Sequence, residues 1–512
     1  MLDHLAEVIK KNIVFIFALT TSLAVVGVGV YSPQVLDKTS GHLHRLIIEN
    51  FGWSYLLSTL FFLVFSIALA MSKFGDLKLG QDHEKPQYSY FGWFSMLFAA
   101  GMGIGLIFWG VAEPLSHLAS PPVNIESGSG QAAAFAMRHS FFHWGLHPWA
   151  VYIVMSLSVA YFSFRRGMPP LISSCFYPLL GERIFGTLGY LIDILSVLAT
   201  VFGIVTSLGL GALQITSGLA SVTPLVDNFT STLGVIAVVT VLFLFSSMTG
   251  LDKGIQILSK TNILLAFLLL GFMLVVGPTA YIFNVLTTTI GSYFSSLLDM
   301  SLSTNPFQGY EWTKDWTLFY WAWWISWAPF VGLFVASISR GRTIREFVLG
   351  ALAVPTLLTF VWFSVFGGAG LHLELETEAE FAGLVSENVS VALFELFSFY
   401  PLTPVLTSIA VILLMVFFVT SADSATYVLA MMTSGGELRP ANWKKIVWGI
   451  TVSITACILL FSGGLEALQR MSITAALPFT AIMLLLCYCL WLGMRYERRQ
   501  PHKKLIEFDS EP

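Results

Sequence analysis

Charged residues are scarce in this chain, and their scarcity excludes many classes of protein. Only 11% of the 512 residues are Asp, Glu, Lys or Arg, whereas a soluble globular domain carries roughly a quarter. Hydrophobic residues make up 56%, in runs of about 20 residues that are typical of membrane-spanning helices. The composition indicates an all-α polytopic membrane protein with lipid around it, and no nucleic-acid partner is expected.

Cysteine is also scarce, with four residues in the whole chain. They stand singly or as a close pair within apolar runs, which gives neither a disulfide framework nor a metal motif: Cys175, Cys457, Cys487 and Cys489. A small-residue cleavage site is missing after the first apolar run, near 13–31, so that run is interpreted as a retained helix rather than a signal peptide.

The apolar runs predict about twelve membrane spans. They lie near 13–31, 53–72, 89–112, 140–163, 188–219, 232–249, 259–282, 315–337, 345–369, 402–432, 445–462 and 473–494. Basic residues accumulate on the cytoplasmic side of membrane proteins. With both termini cytoplasmic, all but five of the 26 Lys and Arg fall inside, the exceptions being Lys38, Arg45, Arg138, Lys314 and Arg470. This topology places an acidic segment, 374–387, outside, and an amphipathic stretch near 285–301 along the interface.

Two spans contain patterns that predict interruptions. The third holds three glycines at alternate positions, Gly101, Gly103 and Gly105, which favour an unwound backbone. Close helix packing is the alternative, but positions two apart face different sides of a helix. The tenth holds the polar run 420–424. Unwound backbone at membrane depth survives only where it lines a cavity, and transporters bind substrate and ions there.

Aromatic residues are concentrated in the eighth span. Four tryptophans occur within residues 320–327, YWAWWISW. Indole faces bind cations that cannot donate hydrogen bonds, such as quaternary ammonium groups, whereas membrane proteins usually keep Trp at the interfaces. A packed aromatic core is the alternative interpretation of this segment taken alone.

The chain resembles the betaine/choline/carnitine transporters. The resemblance covers nearly the whole chain and is carried by AAGMGIGLIFWGVAEP at 99–114, FHWGLHPWAVY at 142–152 and the segment 315–347 around the tryptophans. It is strongest to the short sodium-coupled glycine betaine carriers of bacteria. Such a carrier works by alternating access, imports a compatible solute for osmoprotection, has no enzymatic activity, and lies in the bacterial plasma membrane, commonly as a homotrimer.

The resemblance implies a LeuT-like core of two inverted five-helix repeats, spans 3–7 and 8–12, preceded by two extra helices. The repeats would occupy about 89–282 and 315–494. They would form one transporter domain, 13–494, between a cytoplasmic N-terminus, 1–12, and a short cytoplasmic tail, 495–512.

The resemblance also implies the substrate-binding residues. An aromatic box would combine six side chains from spans 4 and 8: Trp144, Trp149, Tyr152, Trp323, Trp324 and Trp327. The spacing agrees, because residues three or four apart share a helix face. Trp316 and Trp321 are assigned to packing or the interface. Backbone N–H groups at Gly101, Gly103 and Gly105 would bind the substrate carboxylate.

A sodium site follows from the same resemblance, with no other cofactor expected. The hydroxyls of Thr420 and Ser421 would coordinate the ion together with the backbone carbonyls of Ala99, Met102 and Phe417. Hard cations take several oxygen ligands. The alternatives are proton coupling and hydroxyls that merely bond back to their own helix.

The choice of substrate rests on charge. Segments 101–105, 144–152 and 320–331 contain no acid, and Glu113 next to Pro114 is interpreted as a solvated helix end. A bare cation such as choline is costly to desolvate without a carboxylate nearby. The sequence therefore favours a zwitterion over choline. Glycine betaine is favoured over carnitine, which is also a zwitterion, because the resemblance is strongest to the short glycine betaine carriers.

Two other functions are less consistent with the sequence. His143 and His147, four apart, could ligate haem in a membrane oxidoreductase, but apart from His139 beside them no other His lies well inside a span. A passive channel would use rings of carbonyls or charges rather than indoles.

Overall fold

Helices make up nearly all of the protein. The computed structural model describes residues 12–101, 103–249, 252–377 and 379–499. Within those ranges there is no strand, only an isolated bridge between Lys78 and Thr343. The longer helices are α1 (Ile13–Tyr31), α2 (Pro33–Met71), α3 (Tyr90–Gly101), α4 (Ile104–Ala119), α5 (Gly130–Trp144), α6 (Leu146–Ala160), α7 (Thr187–Val222), α8 (Phe229–Thr249), α9 (Asp252–Val276), α10 (Thr279–Leu302), α11 (Phe319–Ile338), α12 (Ile344–Glu376), α13 (Phe381–Glu387), α14 (Ala392–Ser398), α15 (Thr403–Met432) and α16 (Asn442–Arg499). The predicted all-α polytopic membrane fold is confirmed.

The described helices account for the twelve predicted spans. Nine helical segments of the described residues are long and apolar enough to cross a membrane, and one of them, Gly130–Arg165, joins α5 and α6. Of these, α16 contains two spans, because its backbone leaves the helical region at Gly463 and at Gly464, where φ is +61°. The other two spans are α9 and the pair α3 and α4. The predicted terminal segments, 1–12 and 495–512, lie largely outside the described residues.

The third span is broken where the glycines predict. Helix α3 ends at Gly101 and α4 begins at Ile104, and the backbone of Gly103 is extended, with φ −105° and ψ −165°. Met102 lies outside the described residues. The unwound segment is shorter than predicted, because Gly101 and Gly105 are helical and only Gly103 has a described non-helical backbone.

The tenth span is not interrupted, so that prediction is wrong. Helix α15 continues from Thr403 to Met432 through the polar run at 420–424. The Thr420 hydroxyl donates to the carbonyl oxygen of Val416 at 2.9 Å. Hydroxyl side chains that bond back to the preceding turn leave the helix intact.

The fourth span has a break that the sequence analysis missed. Gly145 separates α5 from α6, with φ −92° and ψ −129°. A Cβ atom at this position would lie 2.5 Å from the carbonyl oxygen of Phe141, so the close approach of the backbone requires glycine. The break sets Trp144 at the end of one helix and Trp149 near the start of the next.

The second span and the predicted interfacial helix both extend beyond their predicted bounds. Helix α2 begins at Pro33, about 20 residues before the apolar run, and its polar part is anchored by Asp37, which pairs with Arg470 at 2.7 Å. Helix α10 begins at Thr279 and turns by 109° from Lys260–Val276. Such a turn fits a helix along the interface, and its place there stays a prediction.

The loop between α2 and α3 is tied to the linker between α11 and α12. Leu79 N–H donates to the carbonyl of Arg342, and Gly341 N–H donates to the carbonyl of Leu79, each at 2.8 Å. Arg340 adds two hydrogen bonds of 2.7 Å to the Glu84 carboxylate. Thr343 then begins α12 with a capping box formed with Glu346.

Candidate functional site

The broken third span faces the tryptophans of α11. A Cβ atom at Gly105 would lie 2.6 Å from Cη2 of Trp323 and 3.1 Å from Cη2 of Trp144. A Cβ atom at Gly103 would lie 3.8 Å from Cη2 of Trp327. The glycines therefore let the start of α4 contact indole rings from two other helices.

Four members of the predicted box form a continuous aromatic cluster. The Trp323 and Trp324 rings stack at 4.7 Å and 15°. Trp144 meets Trp324 edge to face at 4.8 Å and 73°, and Tyr152 meets it at 6.4 Å and 80°. The break at Gly145 allows this arrangement, because it turns α6 so that Tyr152 and Trp144 approach the same ring.

The remaining two members lie at the margins of the cluster. Trp149 meets Tyr152 edge to face at 5.8 Å. Trp327 contacts Phe330 at 5.5 Å and is linked to the cluster through Gly103. All six side chains are buried, with at most 8% of any one exposed.

Three donors of the cluster are buried without a hydrogen-bond partner among the described residues. They are the hydroxyl of Tyr152 and the indole nitrogens of Trp323 and Trp327. Buried polar groups are normally paired, so unpaired donors at a site are available to a ligand oxygen. With Gly105 in the first turn of α4, whose N–H groups lack helical partners, they could bind a carboxylate while the rings bind an ammonium group.

Glu113 is buried in this region, so its interpretation as a solvated helix end is wrong. It is 0% exposed, since α4 continues past Pro114 to Ala119. Its Oε2 accepts a hydrogen bond from Trp144 Nε1 at 2.7 Å and another from the Tyr320 hydroxyl. The premise that no carboxylate lies near the box is therefore wrong as well.

Two histidines complete this buried group. His143 Nδ1 lies 2.7 Å and His117 Nε2 lies 3.2 Å from Oε1 of Glu113. These atoms are within 4.8 Å of one another, as in some metal sites, but hydrogen bonds already account for the contacts. The backbone carbonyl of His143 accepts from Trp324 Nε1 at 3.0 Å. The group thus holds two indoles of the cluster in place.

The two predicted haem ligands do not share a site. His143 contacts Glu113 and Thr317, whereas Nε2 of His147 is 2.9 Å from the Ser301 hydroxyl. The ring of His147 stacks on Trp321 at 5.2 Å. Each histidine is therefore engaged by its own protein neighbours.

The predicted sodium ligands are only partly described. Phe417, Thr420 and Ser421 lie on α15, and the Thr420 hydroxyl is 3.3 Å from the Phe417 carbonyl. Ala99 belongs to the backbone of α3, and Met102 lies outside the described residues. A Cβ atom at Gly211 would lie 2.8 Å from Ile104 and 3.2 Å from Phe418, which places α15 near the start of α4. Sodium binding stays a prediction.

Cavities lie at both ends of the aromatic segment of α11. One, of about 590 Å³, is lined by Trp316 and Phe319 together with Lys314 and Arg470. The other, of about 410 Å³, is lined by Phe330 and Phe334 and by the polar side chains Asp423, Tyr427 and Lys445. The aromatic cluster, at 323–327, separates the two along the helix.

A buried aromatic cluster between two cavities, facing a broken helix in a multi-pass helical membrane protein, is the arrangement expected of a membrane transporter. Residues 13–499 match the model of the BCCT, betaine/carnitine/choline family transporters. The chain belongs to this family, and it is a transporter rather than an enzyme, so the haem alternative is wrong.

The chain is similar along its length to transporters of several bacteria. It is 48% identical to the glycine betaine transporter OpuD of Bacillus subtilis, over 98% of this chain and 97% of that protein. It is 43% identical to an ectoine/hydroxyectoine transporter of Virgibacillus pantothenticus, over 93% and 95%. A probable glycine betaine transporter of Desulfitobacterium hafniense is 42% identical, over 95% and 98%.

Proposed function

We propose that this protein imports glycine betaine by sodium symport through alternating access. The observation that carries the proposal is the cluster of Trp144, Trp323 and Trp324 against Gly105 at the broken helix. Indole faces bind a trimethylammonium group, each with about 0.5–2 kcal/mol when water is excluded. Unpaired donors at Trp323 and Tyr152 suit the carboxylate of the same zwitterion. The names of two of the relatives support this substrate.

Sodium is proposed as the coupling ion, bound by Thr420, Ser421 and carbonyls at the break of the third span. Thr420 donates its hydroxyl proton to its own helix, which leaves oxygen lone pairs that can face a cation. Oxygen ligands without formal charge suit a monovalent hard ion that must be released on each cycle. Proton coupling is the alternative, and in that case no ion needs to bind to these hydroxyls.

Ectoine is a second candidate substrate, because a relative of 43% identity is an ectoine/hydroxyectoine transporter. Ectoine is also a zwitterion, but its cation is a planar amidinium with N–H donors. Such a cation binds more tightly where hydrogen-bond acceptors surround it. The unpaired polar atoms of the cluster are the hydroxyl of Tyr152 and the indole nitrogens of Trp323 and Trp327, and an indole N–H can only donate. The cluster therefore suits the trimethylammonium group better. Choline and carnitine stay as alternatives within the family.

Uptake into proteoliposomes tests the function. We expect labelled glycine betaine to accumulate when sodium is high outside, and to equilibrate without accumulation when sodium is equal on both sides. Choline, carnitine and ectoine should accumulate more slowly at equal concentration. Accumulation that follows a proton gradient and ignores sodium would refute the coupling, and faster uptake of ectoine or choline would refute the substrate.

The arrangement in the cell is part of the proposal. We place the protein in the bacterial plasma membrane with both termini in the cytoplasm, as the distribution of Lys and Arg favours. A homotrimer of carriers, each with two inverted repeats, is expected from the family. Accessibility of single cysteines introduced at Ser303 and Arg183 would test the orientation, since only the former should react from outside.

A further inference from the structure

Glu113 places an acid directly behind the aromatic cluster. Its Oε2 accepts from Trp144 Nε1 at 2.7 Å and from the hydroxyl of Tyr320. Trp144 and Tyr320 both contact the Trp324 ring, at 4.8 Å and 5.9 Å. The carboxylate is thus one hydrogen bond away from rings that would face a bound ammonium group.

The hydrogen bonds favour the ionised form of Glu113. An indole N–H can only donate, so Oε2 is an acceptor for Trp144, and the Tyr320 hydroxyl is its second neighbour. Oε1 lies within hydrogen-bond distance of a ring nitrogen of His143 and of His117. A carboxyl group surrounded by donors on both oxygens is stabilised in its ionised form.

Both histidines fit the neutral form. His143 Nε2 is 2.9 Å from the hydroxyl of Thr317, which can donate to it and leave the Nδ1 proton for Glu113. His117 Nδ1 is buried without a partner among the described residues. A charged His117 would bury an unpaired N–H there, which is more costly than an unpaired lone pair. With both histidines in these neutral forms and Glu113 ionised, the group of Glu113, His117 and His143 carries one net negative charge.

We propose that Glu113 is a positioning and specificity-determining residue that enables the aromatic cluster to distinguish a quaternary ammonium from an uncharged group of the same shape. Its charge attracts the ammonium in a low-dielectric site. Its hydrogen bond at the edge of Trp144 also increases the electron density of the ring face, to which cations bind. Neither effect acts on an uncharged group. The inference rests on the proposed function of the cluster.

The carbon isostere of glycine betaine provides the test. In 3,3-dimethylbutanoate a carbon atom replaces the quaternary nitrogen, so shape and carboxylate are kept while the positive charge is lost. Both compounds compete with labelled glycine betaine for the purified protein. The unmodified protein should bind glycine betaine more tightly than the isostere. We expect Glu113→Gln to lower the ratio of the dissociation constant of 3,3-dimethylbutanoate to that of glycine betaine by about ten-fold or more. Glu113→Asp, which keeps the charge, should restore most of the ratio.

Asp193→Asn is the matched control. Asp193 is also a buried carboxylate within a helix, but it accepts its hydrogen bonds from the amide and hydroxyl of Ser173. The control should leave the ratio unchanged. Size-exclusion profiles and melting temperatures show whether each variant is folded.

The outcomes separate the possible failures. An equal loss of affinity for both compounds in Glu113→Gln would make Glu113 a structural residue and overturn the inference. Failure of the unmodified protein to bind glycine betaine would refute the proposed function itself.

If Glu113→Gln does not fold, infrared difference spectra of the unmodified protein with ¹³C-carboxyl betaine show whether Glu113 is ionised. A band of an ionised carboxylate that Glu113→Asp shifts supports the inference, and a protonated carboxyl band contradicts it.

Discussion

Replacing Trp324 by leucine tests whether the cluster binds a cation or is merely a packed core. Trp324 stacks on Trp323 at 4.7 Å, meets Trp144 at 4.8 Å and donates to the carbonyl of His143. Leucine keeps a buried apolar side chain but removes the π face. A desolvated cation–π contact contributes up to about 2 kcal/mol, and 1.4 kcal/mol corresponds to ten-fold. We expect the dissociation constant for glycine betaine to rise by about ten-fold or more.

Trp321→Leu is the control for this substitution. Trp321 lies on the same helix and is fully buried, but it packs on His147 at 5.2 Å and on Phe142 at 4.9 Å. Both variants lose a similar packed volume, at a cost of about 1–3 kcal/mol of folding stability. Isothermal titration measures binding, and thermal unfolding measures stability. Equal changes of affinity in the two variants would refute the assignment of Trp324 to the site.

Three further predictions concern the ion, the close approach of helices and the loop between α2 and α3. Thr420→Ala with Ser421→Ala should raise the sodium concentration for half-maximal uptake several-fold, with little effect on betaine binding at saturating sodium. Gly105→Ala places a Cβ atom 2.6 Å from an indole carbon, and it should weaken betaine binding about ten-fold, measured by titration. The hydrogen bonds from Arg340 lower the pKa of Glu84 below its ordinary value of 4.5. Stability from this pair is therefore complete above about pH 4.5 and lost as the pH falls further, so Glu84→Gln should flatten the acid limb of a melting-temperature profile.

The spans could be predicted from the sequence because apolar runs report directly on the hydrocarbon thickness. The break at Gly103 was predictable for a similar reason, since glycine weakens a helix locally. The continuity of α15 at Thr420 was not predictable, because a hydroxyl side chain can either bond back to a carbonyl of its own helix or accompany an interruption of the helix. Neighbouring helices decide between the two, and hydropathy does not report on them.

The break in the fourth span was missed although a signal was present. Gly145 stands three residues before Pro148, and proline favours the first turn of a helix. This pair indicates the end of one helix and the start of another inside a single apolar run. Hydropathy averaged over the run hides it, because Trp144 and Leu146 on either side of the break are both apolar.

The burial of Glu113 was missed because its main partners are distant in sequence. His143 is 30 residues away and Tyr320 is 207 residues away. The local signal was His117, four residues later on the same helix face, in an otherwise apolar stretch. Proline at 114 pointed to a helix end, but the helix continues through it. An acid and a histidine spaced in this way within a span favour a buried pair over a solvated end.

The position of Glu113 changes the reason for preferring a zwitterion. A carboxylate behind Trp144 removes part of the desolvation cost of any quaternary ammonium, so it favours choline and glycine betaine alike. Discrimination against choline then depends on the donors that a carboxylate would satisfy, at Tyr152, Trp323 and Trp327. Sites that hydrogen-bond a substrate group reject analogues that lack it, because their own polar atoms stay unpaired. We therefore expect Tyr152→Phe to weaken glycine betaine binding more than choline binding, as measured by competition. An equal effect on both would mean that the carboxylate binds elsewhere, at the N–H groups of the broken helix.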